Sequence, residues 1–451
     1  MQKAAADSLV GLGNPVSDTF FASRMGQLGP FEEKPHVAVA VSGGADSLAL
    51  SLLAFNWVNN KGGKLTALTV DHGLRESVEN EIEFLRRLFK DKGIDHYVLS
   101  WREREVKGGI QSAARKARYN LLEACCKRLG IFHLLLAHQR DDQAETMLMR
   151  LLRGCHPLGL SGINAIRETY NVRLLRPLLT VPKIDLVATL CKHRINWCED
   201  PYNSDFRFTR TRVRHALKFN SCASQRIADS APFFQNANRT LDSKATFALI
   251  RAVSLFPEGF ANLSKKEISS IPPNVLRRIL LRVIMTVGGQ NRYPQSDALK
   301  RLASNLTQGK FKGTTLGGCL FLNKIENFIA CREYRNLPSR LKLVENKQLY
   351  WDGRFDVRTG LNIPSGSYLA ALGTEGWEEI SQGSTNKLKY VPRQARETLP
   401  AVFDKYGVRE VPQLNFHREN REAKINFDTK YTVFITYRPR VTLSGKSFGL
   451  V

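Results

Sequence analysis

The chain has 451 residues, with 67 Lys and Arg against 42 Asp and Glu, a formal net charge of +25 at pH 7. That length exceeds one ordinary core, so two or three domains are expected, and 43% apolar content is that of a globular protein. No apolar run reaches membrane-spanning length, and the charge excess points to a polyanionic partner; without a basic amphipathic helix, nucleic acid is favoured over an acidic membrane surface.

The first 35 residues carry Asp7, Asp18, Glu32 and Glu33 among few basic residues and no long apolar core, which speaks against a signal or transit peptide. From His36 onward strand-like runs over residues 36–41, 65–70, 95–99 and 132–137 alternate with helical patterns near 48–59, 78–92 and 111–129. Such alternation predicts βαβ units and a parallel sheet covered on both faces, with ligands at the carboxyl ends of the strands. A further helix is expected over 144–153, where Ala144, Met147, Leu148, Leu151 and Leu152 form an apolar stripe and Gly154 ends it.

Beyond about Lys218 the pattern becomes helical, most clearly over 275–287 behind Pro272 and Pro273. From about Gly313 it is richer in Gly, Pro and β-branched residues, with strands expected at 318–322, 327–331 and 431–437. The expected fold class is α/β. An N-terminal extension (1–35) precedes a parallel-sheet domain (36–218), a mainly helical middle domain (219–337) and a small α+β C-terminal domain (338–451). Eight cysteines include the adjacent pair Cys125-Cys126 but no Cys-x-x-Cys, as for reduced thiols in a cytoplasmic protein without zinc or a disulfide framework.

Polar clusters follow three of the four predicted strands. After the first comes Ser42-Gly43-Gly44-Ala45-Asp46-Ser47, running into a helix. Two glycines let the backbone approach an oxyanion, the helix start offers N–H groups and a positive dipole end, and the serines add hydroxyls. Asp46 would repel a pyrophosphate unless a divalent cation lay between them, which argues for Mg²⁺. The alternative is an ordinary Gly-Gly turn with Asp46 and Ser47 capping the helix. The dinucleotide and Walker A loops do not fit, since a third glycine and a Gly-Lys-Ser/Thr at the right spacing are missing.

After the second strand stands Asp71-His72-Gly73-Leu74-Arg75, where His72 would lie over a nucleotide or simply start a helix. After the fourth stand His138, Asp141 and Asp142, two carboxylates at a helix start that favour its dipole and, with the histidine, would hold Mg²⁺ or take a proton from an attacking amine. Arg115 and Arg118 share a helix face, either solvated or clamping phosphate. The run Arg207, Arg210, Arg212 and Arg214 lies in a stretch, residues 172–218, with ten Lys or Arg against four Asp or Glu, and suits phosphate oxygens. Nearby Trp197, Phe206 and Phe208 would stack on a base or fill a core.

Taken in order, these segments resemble the bacterial tRNA(Ile)-lysidine synthetases, within the PP-loop ATP pyrophosphatase superfamily. So do Ala114–Tyr119, the stretch from Ala137 to Thr146, Arg153-Gly154, Arg176-Pro177-Leu178 and Trp197-Cys198-Glu199-Asp200-Pro201. The resemblance covers roughly residues 36–218 and implies an adenine-nucleotide alpha-hydrolase-like fold, with later domains that bind tRNA. It implies that ATP lies with its pyrophosphate in residues 42–47 with Mg²⁺ on Asp46, and that the wobble cytidine of the isoleucine tRNA with a CAU anticodon attacks the α-phosphate through O2. Free L-lysine then displaces AMP from C2 through its ε-amine, giving lysidine.

By motif position the resemblance gives Asp142 the part of base, with Asp141 and His138 in support. Arg115 and Arg212 steady the triphosphate or activated base, His72 and Arg118 contact the nucleotide, and Arg207, Arg210 and Arg214 contact tRNA. A homodimer is what some members suggest. Three departures are visible: Gln139 where a second histidine is common, Tyr202 for serine, and Thr211 for asparagine. Rival readings are a PP-loop tRNA thiolase, disfavoured by the missing Cys-x-x-Cys, a non-catalytic ATP sensor, disfavoured by Asp46 and the Asp141/Asp142 pair, and a structural RNA-binding protein, which leaves the clusters unused.

Overall fold

The computed structural model describes residues 13–71, 78–101, 110–153, 157–169, 171–198, 209–218, 221–290, 293–309, 311–361, 363–381, 390–418 and 432–444. They divide into two compact units, parting between Asn238 and Arg239.

The first unit is built on a six-stranded sheet: β1 (His36–Val41), β2 (Lys64–Asp71), β3 (Asp95–Ser100), β4 (His133–Leu135), β5 (Ile166–Glu168) and β6 (Arg173–Leu175). The spatial order is β3-β2-β1-β4-β6-β5. All neighbours are parallel except β5, which joins the edge antiparallel to β6. The helices are α1 (Asp18–Gln27), α2 (Ala45–Asn59), α3 (Val78–Asp91), α4 (Ile110–Arg128), α5 (Arg140–Leu152), α6 (Lys183–Lys192), α7 (Thr209–Lys218) and α8 (Ser221–Ala252), the last running through the division.

The strands read as near-continuous apolar runs because both faces of the sheet are covered. Val37, Val39 and Val41 enter one core with Leu48, Leu53 and Trp57 of α2 and Leu186 of α6. Ala38, between them, faces the other core with Leu122, Cys125 and Cys126 of α4. Burial pushes the Cys126 thiol up to about 12, and among the described residues every cysteine is free.

The described part of the N-terminal extension belongs to this domain, correcting the boundary expected at 35/36. Phe21, Met25 and Leu28 are buried in the core of β1 and α2. The Arg173 guanidinium gathers the carbonyls of Leu28, Gly29 and Pro30 at 2.9, 3.2 and 2.9 Å.

In the second unit, β7 (Val253–Leu255), β8 (Ala261–Ser264), β9 (Gly313–Leu316), β10 (Cys319–Asn323) and β11 (Asn327–Arg332) form an antiparallel sheet in the order β7-β8-β11-β10-β9. The helix Pro273–Val287 is as expected, but the middle segment carries this sheet as well as helices. Strands Leu341–Lys342, Tyr368–Ala371, Pro400–Asp404, Gly407–Val411 and Phe416–His417 make a second sheet, and Gln348–Trp351, Phe355–Thr359 and Val433–Tyr437 a third.

The boundary expected at 337/338 does not separate cores. Phe260, Ile329 and Cys331 share one with Trp351, Phe355, Leu369 and Val402, and Asp352 is bridged by Arg332 at 3.1 Å and Arg354 at 2.7 Å. Among the described residues no helix is long and apolar enough to cross a membrane.

Candidate active site

β1 and β4 are neighbours in the middle of the sheet, but β2 and β3 extend from one side and β6 from the other. Chain connections therefore diverge between β1 and β4, opening a crevice at their carboxyl ends where ligands bind in such folds. The loop after β1 and the His138–Asp142 segment after β4 both end there.

Gly43 has φ +81°, a left-handed conformation that glycine adopts without cost. Gly44 is extended and precedes the first turn of α2, and no side chain caps the helix. Ser47 Oγ instead donates to the Gly44 carbonyl at 2.9 Å and accepts from Ser42 N at 3.2 Å, tying the loop into a ring. The simple capping reading therefore fails, and the helix start is left open for an anion. Gly43 O also accepts from Cys198 N at 3.0 Å, which fastens the loop from outside. Gly43→Ala is expected to cost about 1 kcal/mol of stability through backbone strain alone, measured by denaturant unfolding, since the new Cβ would meet Cys198 Cβ at an ordinary 3.7 Å.

Asp46 lies in the first turn of α2, and its Oδ1 is buried without a hydrogen-bond partner among the described residues. Burial pushes its carboxyl up to about 6; Lys183 and Arg214 oppose this, while Asp142 and Asp141 add to it. An orphaned carboxylate oxygen among other carboxylates fits a hard divalent cation, and Mg²⁺ commonly takes one protein carboxylate plus phosphate oxygens and water. Among the described residues no group of three or more His, Cys, Asp and Glu could hold a metal ion, so the protein would supply only part of such a shell.

α5 begins at Arg140, four residues earlier than its apolar stripe predicts, because Gln139 caps it. Gln139 Oε1 accepts from Asp141 N at 2.6 Å, and Asp142 Oδ2 accepts from Gln139 N at 3.1 Å. An amide thus serves where a second histidine is common, so this departure leaves the helix start intact. Asp142 Oδ1 accepts from Arg210 Nη2 at 2.5 Å, and burial raises the Asp142 carboxyl above the usual range, with Arg210 opposing. Asp141 is half-buried, its Oδ2 accepting from Lys183 N at 3.4 Å.

Glu145 is one turn further along α5, its side chain 2% exposed, and two arginines bracket it: Arg210 Nε at 2.7 Å and Arg214 Nε at 2.6 Å. Arg210 and Arg214, expected to contact tRNA, have guanidinium groups engaged by α5 carboxylates. The run is helical, so residues four apart share a face while those two apart oppose each other. Arg212 accordingly points away, exposed, with Nη2 on Thr209 Oγ1 at 3.3 Å.

On the other side of the crevice, His138 Nδ1 accepts from Arg176 Nε at 3.3 Å. Burial, and then the charges of Arg176, Arg115, Arg118 and Arg210, push the ring down to about 2, so the imidazole is neutral. Arg115 and Arg118 both lie against the Tyr119 ring, 5.5 and 5.6 Å from its centroid. With Arg176 they draw the phenol below its usual value despite its burial. Arg118 Nε is buried with no hydrogen-bond partner among the described residues. The guanidinium groups of Arg115, Arg118 and Arg176 on this side would suit an anion.

Residues 17–220 match the PP-loop domain family. The chain is 34% identical over 347 residues to the tRNA(Ile)-lysidine synthase of Orientia tsutsugamushi (strain Boryong), covering 75% of this chain and 78% of that one. It is 31% identical over 400 residues to the tRNA(Ile)-lysidine synthase of Wolbachia pipientis wMel, covering 85% and 90%. The chain belongs to the tRNA(Ile)-lysidine synthase family. A solved structure of the U34-tRNA thiolase NcsA from Methanococcus maripaludis with its [4Fe-4S] cluster aligns at 18% identity and TM-score 0.42, covering 49% of this chain and 79% of that one.

Within this lysidine synthase fold, the loop 42–47, Asp141, Asp142, His138, Arg115 and Arg118 converge on the crevice between β1 and β4, and Arg212 does not. His72 and Arg207, with Glu199, Asp200, Pro201, Phe206 and Phe208, lie outside the described residues. Trp197 packs on the β1–α2 core. Sequence reasoning gave no role to Lys183, Glu145 or Arg176, although the last two stand in the quoted motifs. Lys183 carries no motif signal; its charge acts on Asp46 from the start of α6.

Proposed function

We propose that this chain is a cytoplasmic ligase that joins L-lysine to C2 of the wobble cytidine of the isoleucine tRNA with a CAU anticodon, consuming ATP and releasing AMP and pyrophosphate. The observation that carries the reading is the convergence at one crevice of an uncapped glycine loop bearing Asp46, a helix start bearing Asp141 and Asp142, and a cluster of arginines. Membership of the lysidine synthase family supports it.

In this reading the loop 42–47 receives the β- and γ-phosphates of ATP on the open N–H groups of α2. Asp46 would hold Mg²⁺, which when bound offsets phosphate charge. Cytidine O2 attacks the α-phosphorus, and the bond to pyrophosphate breaks. Arg115 and Arg118, whose charges act on His138 at the crevice, would stabilise the negative charge developing on the phosphates, and the exposed charge of Arg212 would be free to meet tRNA. The ε-amine of lysine then attacks C2, the bond from C2 to the AMP oxygen breaks, and the ammonium proton passes to a carboxylate.

Asp142 suits that last task. Burial makes it more basic than an ordinary carboxylate, and among the described residues each of its oxygens has one partner, which leaves lone pairs for another proton.

The purified protein with ATP, Mg²⁺, labelled lysine and a transcript of this tRNA is expected to incorporate label into RNA; incorporation of sulfur or ammonia instead would overturn the reading. Asp142→Asn is expected to slow lysine transfer by about 100-fold and adenylate formation far less, read by single-turnover kinetics of each step. With a net charge of +25, tRNA affinity is expected to fall roughly 1,000-fold or more between 50 and 200 mM salt as counterions are released; a flat response in filter binding would assign the charge elsewhere.

A further inference from the structure

The neutral ring of His138 is held by a chain of contacts that runs through residues with no assigned role. Arg176 is only 6% exposed and has a fixed geometry. Its backbone N donates to Ala165 O at 2.8 Å, its Nη1 to Asn164 O at 2.7 Å, and its Nε to His138 Nδ1 at 3.3 Å. An arginine Nε has a single hydrogen, so its direction is set once the fork is docked on Asn164 O.

The segment carrying Asn164 is clamped in turn. Gln143, buried on α5 directly after Asp142, spans one residue with both ends of its amide: Oε1 accepts from Ile163 N at 2.5 Å, and Nε2 donates to Ile163 O at 2.9 Å. The adjoining Gly162 has φ +65°, and a Cβ there would come within 2.3 Å of Gln143 Oε1, so only glycine lets the amide dock. Residues 162–165 therefore act as a spacer between the Asp141-Asp142 helix start and the ring of His138.

We propose that Arg176 is a positioning residue that holds His138 with Nδ1 as acceptor and Nε2–H as a hydrogen-bond donor into the crevice, and that Gln143 sets the placement of Arg176 through residues 163–165. A neutral imidazole that accepts at Nδ1 must carry its proton on Nε2. Its part is then to donate to an oxygen of the adenylated base or its phosphate, and the supporting role as a base expected from the motif is replaced by that of a donor. What the donor acts on rests on the lysidine synthesis reading; the ring's tautomer does not.

Among the described residues, the other charges that act on the ring are those of Arg115 and Arg118 from α4 and Arg210 from α7. Full-length protein labelled with ¹⁵N-histidine, with His138 signals assigned by their loss in His138→Gln, is expected to show an unprotonated-type Nδ1 and a protonated-type Nε2. That pattern should persist from about pH 8 to about pH 5.5, where an ordinary histidine titrates. In Arg176→Met the ring is expected to titrate or to mix tautomers; a spectrum identical to that of the parent protein would overturn the proposal.

Arg176→Lys retains a buried cation able to reach Asn164 O and guards against misfolding in the first variant. It is expected to lower the adenylation kcat by roughly 100-fold with the KM for ATP little changed, and to add nothing in a His138→Gln background. Losses that multiply in the double variant would mean that Arg176 does not act through His138. A parent protein that shows the histidine signature yet makes no lysidine would instead sink the functional reading alone.

Discussion

Asp46→Asn is expected to reduce ATP-dependent pyrophosphate release by about 1,000-fold, the scale of several kcal/mol of lost charge stabilisation, and at the same time to make the first unit more stable. Both effects come from one placement. The carboxyl sits in the first turn of α2 with Oδ1 buried and unmatched, and burial lifts it from 3.8 to about 6. The native state therefore binds this proton more tightly than the unfolded chain, and ionising Asp46 costs stability. The cost is absent below about pH 4, grows as pH rises through the folded value of about 6, and is complete above it, at most about 3 kcal/mol.

Asn carries no such charge. The variant should thus exceed the parent in stability at pH 8, and the gap should close toward pH 4. With two compact units in the chain, hydrogen exchange in β1 and α2 reads this better than a whole-chain melt. Adenylation by the parent protein should fall as pH drops through about 6 and Asp46 takes up its proton. A variant less stable than the parent at pH 8 would show that the Asp46 carboxylate is already well compensated by the protein.

Glu145→Gln is expected to destabilise the junction of α5 and α7 by about 2 kcal/mol. Removing one member of a buried ion pair costs about 3–5 kcal/mol when the remaining charge is fully buried. Here Arg210 keeps its bond to Asp142, and the side chains of Arg210 and Arg214 keep 38% and 30% exposure, so that pairing and solvent recover part of the loss. The local nature of the damage should appear as faster exchange of α7 amides, with the second unit unaffected. Arg214→Gln should cost less than Glu145→Gln, because Glu145 then keeps Arg210, and the pair should show a coupling of at least about 0.5 kcal/mol in a double-mutant cycle. A loss below about 0.5 kcal/mol for Glu145→Gln would mean that the pairing adds little.

Much of the crevice is legible in the linear chain because its parts are local. Strand β1, the glycine turn and α2 follow one another within residues 36–59, and periodicity and glycine geometry report such neighbours directly. The same holds for Asp141 and Asp142 at the start of α5, where acidic residues meet an apolar stripe. The antiparallel edge strand β5 is only three residues long and gives too little pattern to read. The shared core of the second unit is hidden for another reason. Phe260 and Val402 come together only after sheets far apart in sequence have packed.

The amino-acid sequence by itself determined the βαβ order, the glycine loop with Asp46, the carboxylate pair after β4 and the excess of positive charge. Tertiary structure alone decided which charges pair. Arg210 meets Glu145 and Asp142 across 65 and 68 residues, and Arg176 meets His138 across 38. No local spacing encodes such contacts. The reason is physical: a helix or strand fixes which residues share a face through its 3.6- or two-residue period, whereas the partner of that face is chosen by the packing of the whole sheet. The arginines at 210, 212 and 214 show the difference, since their spacing left their partners open, and α7 sets two of them on α5 carboxylates and leaves one exposed.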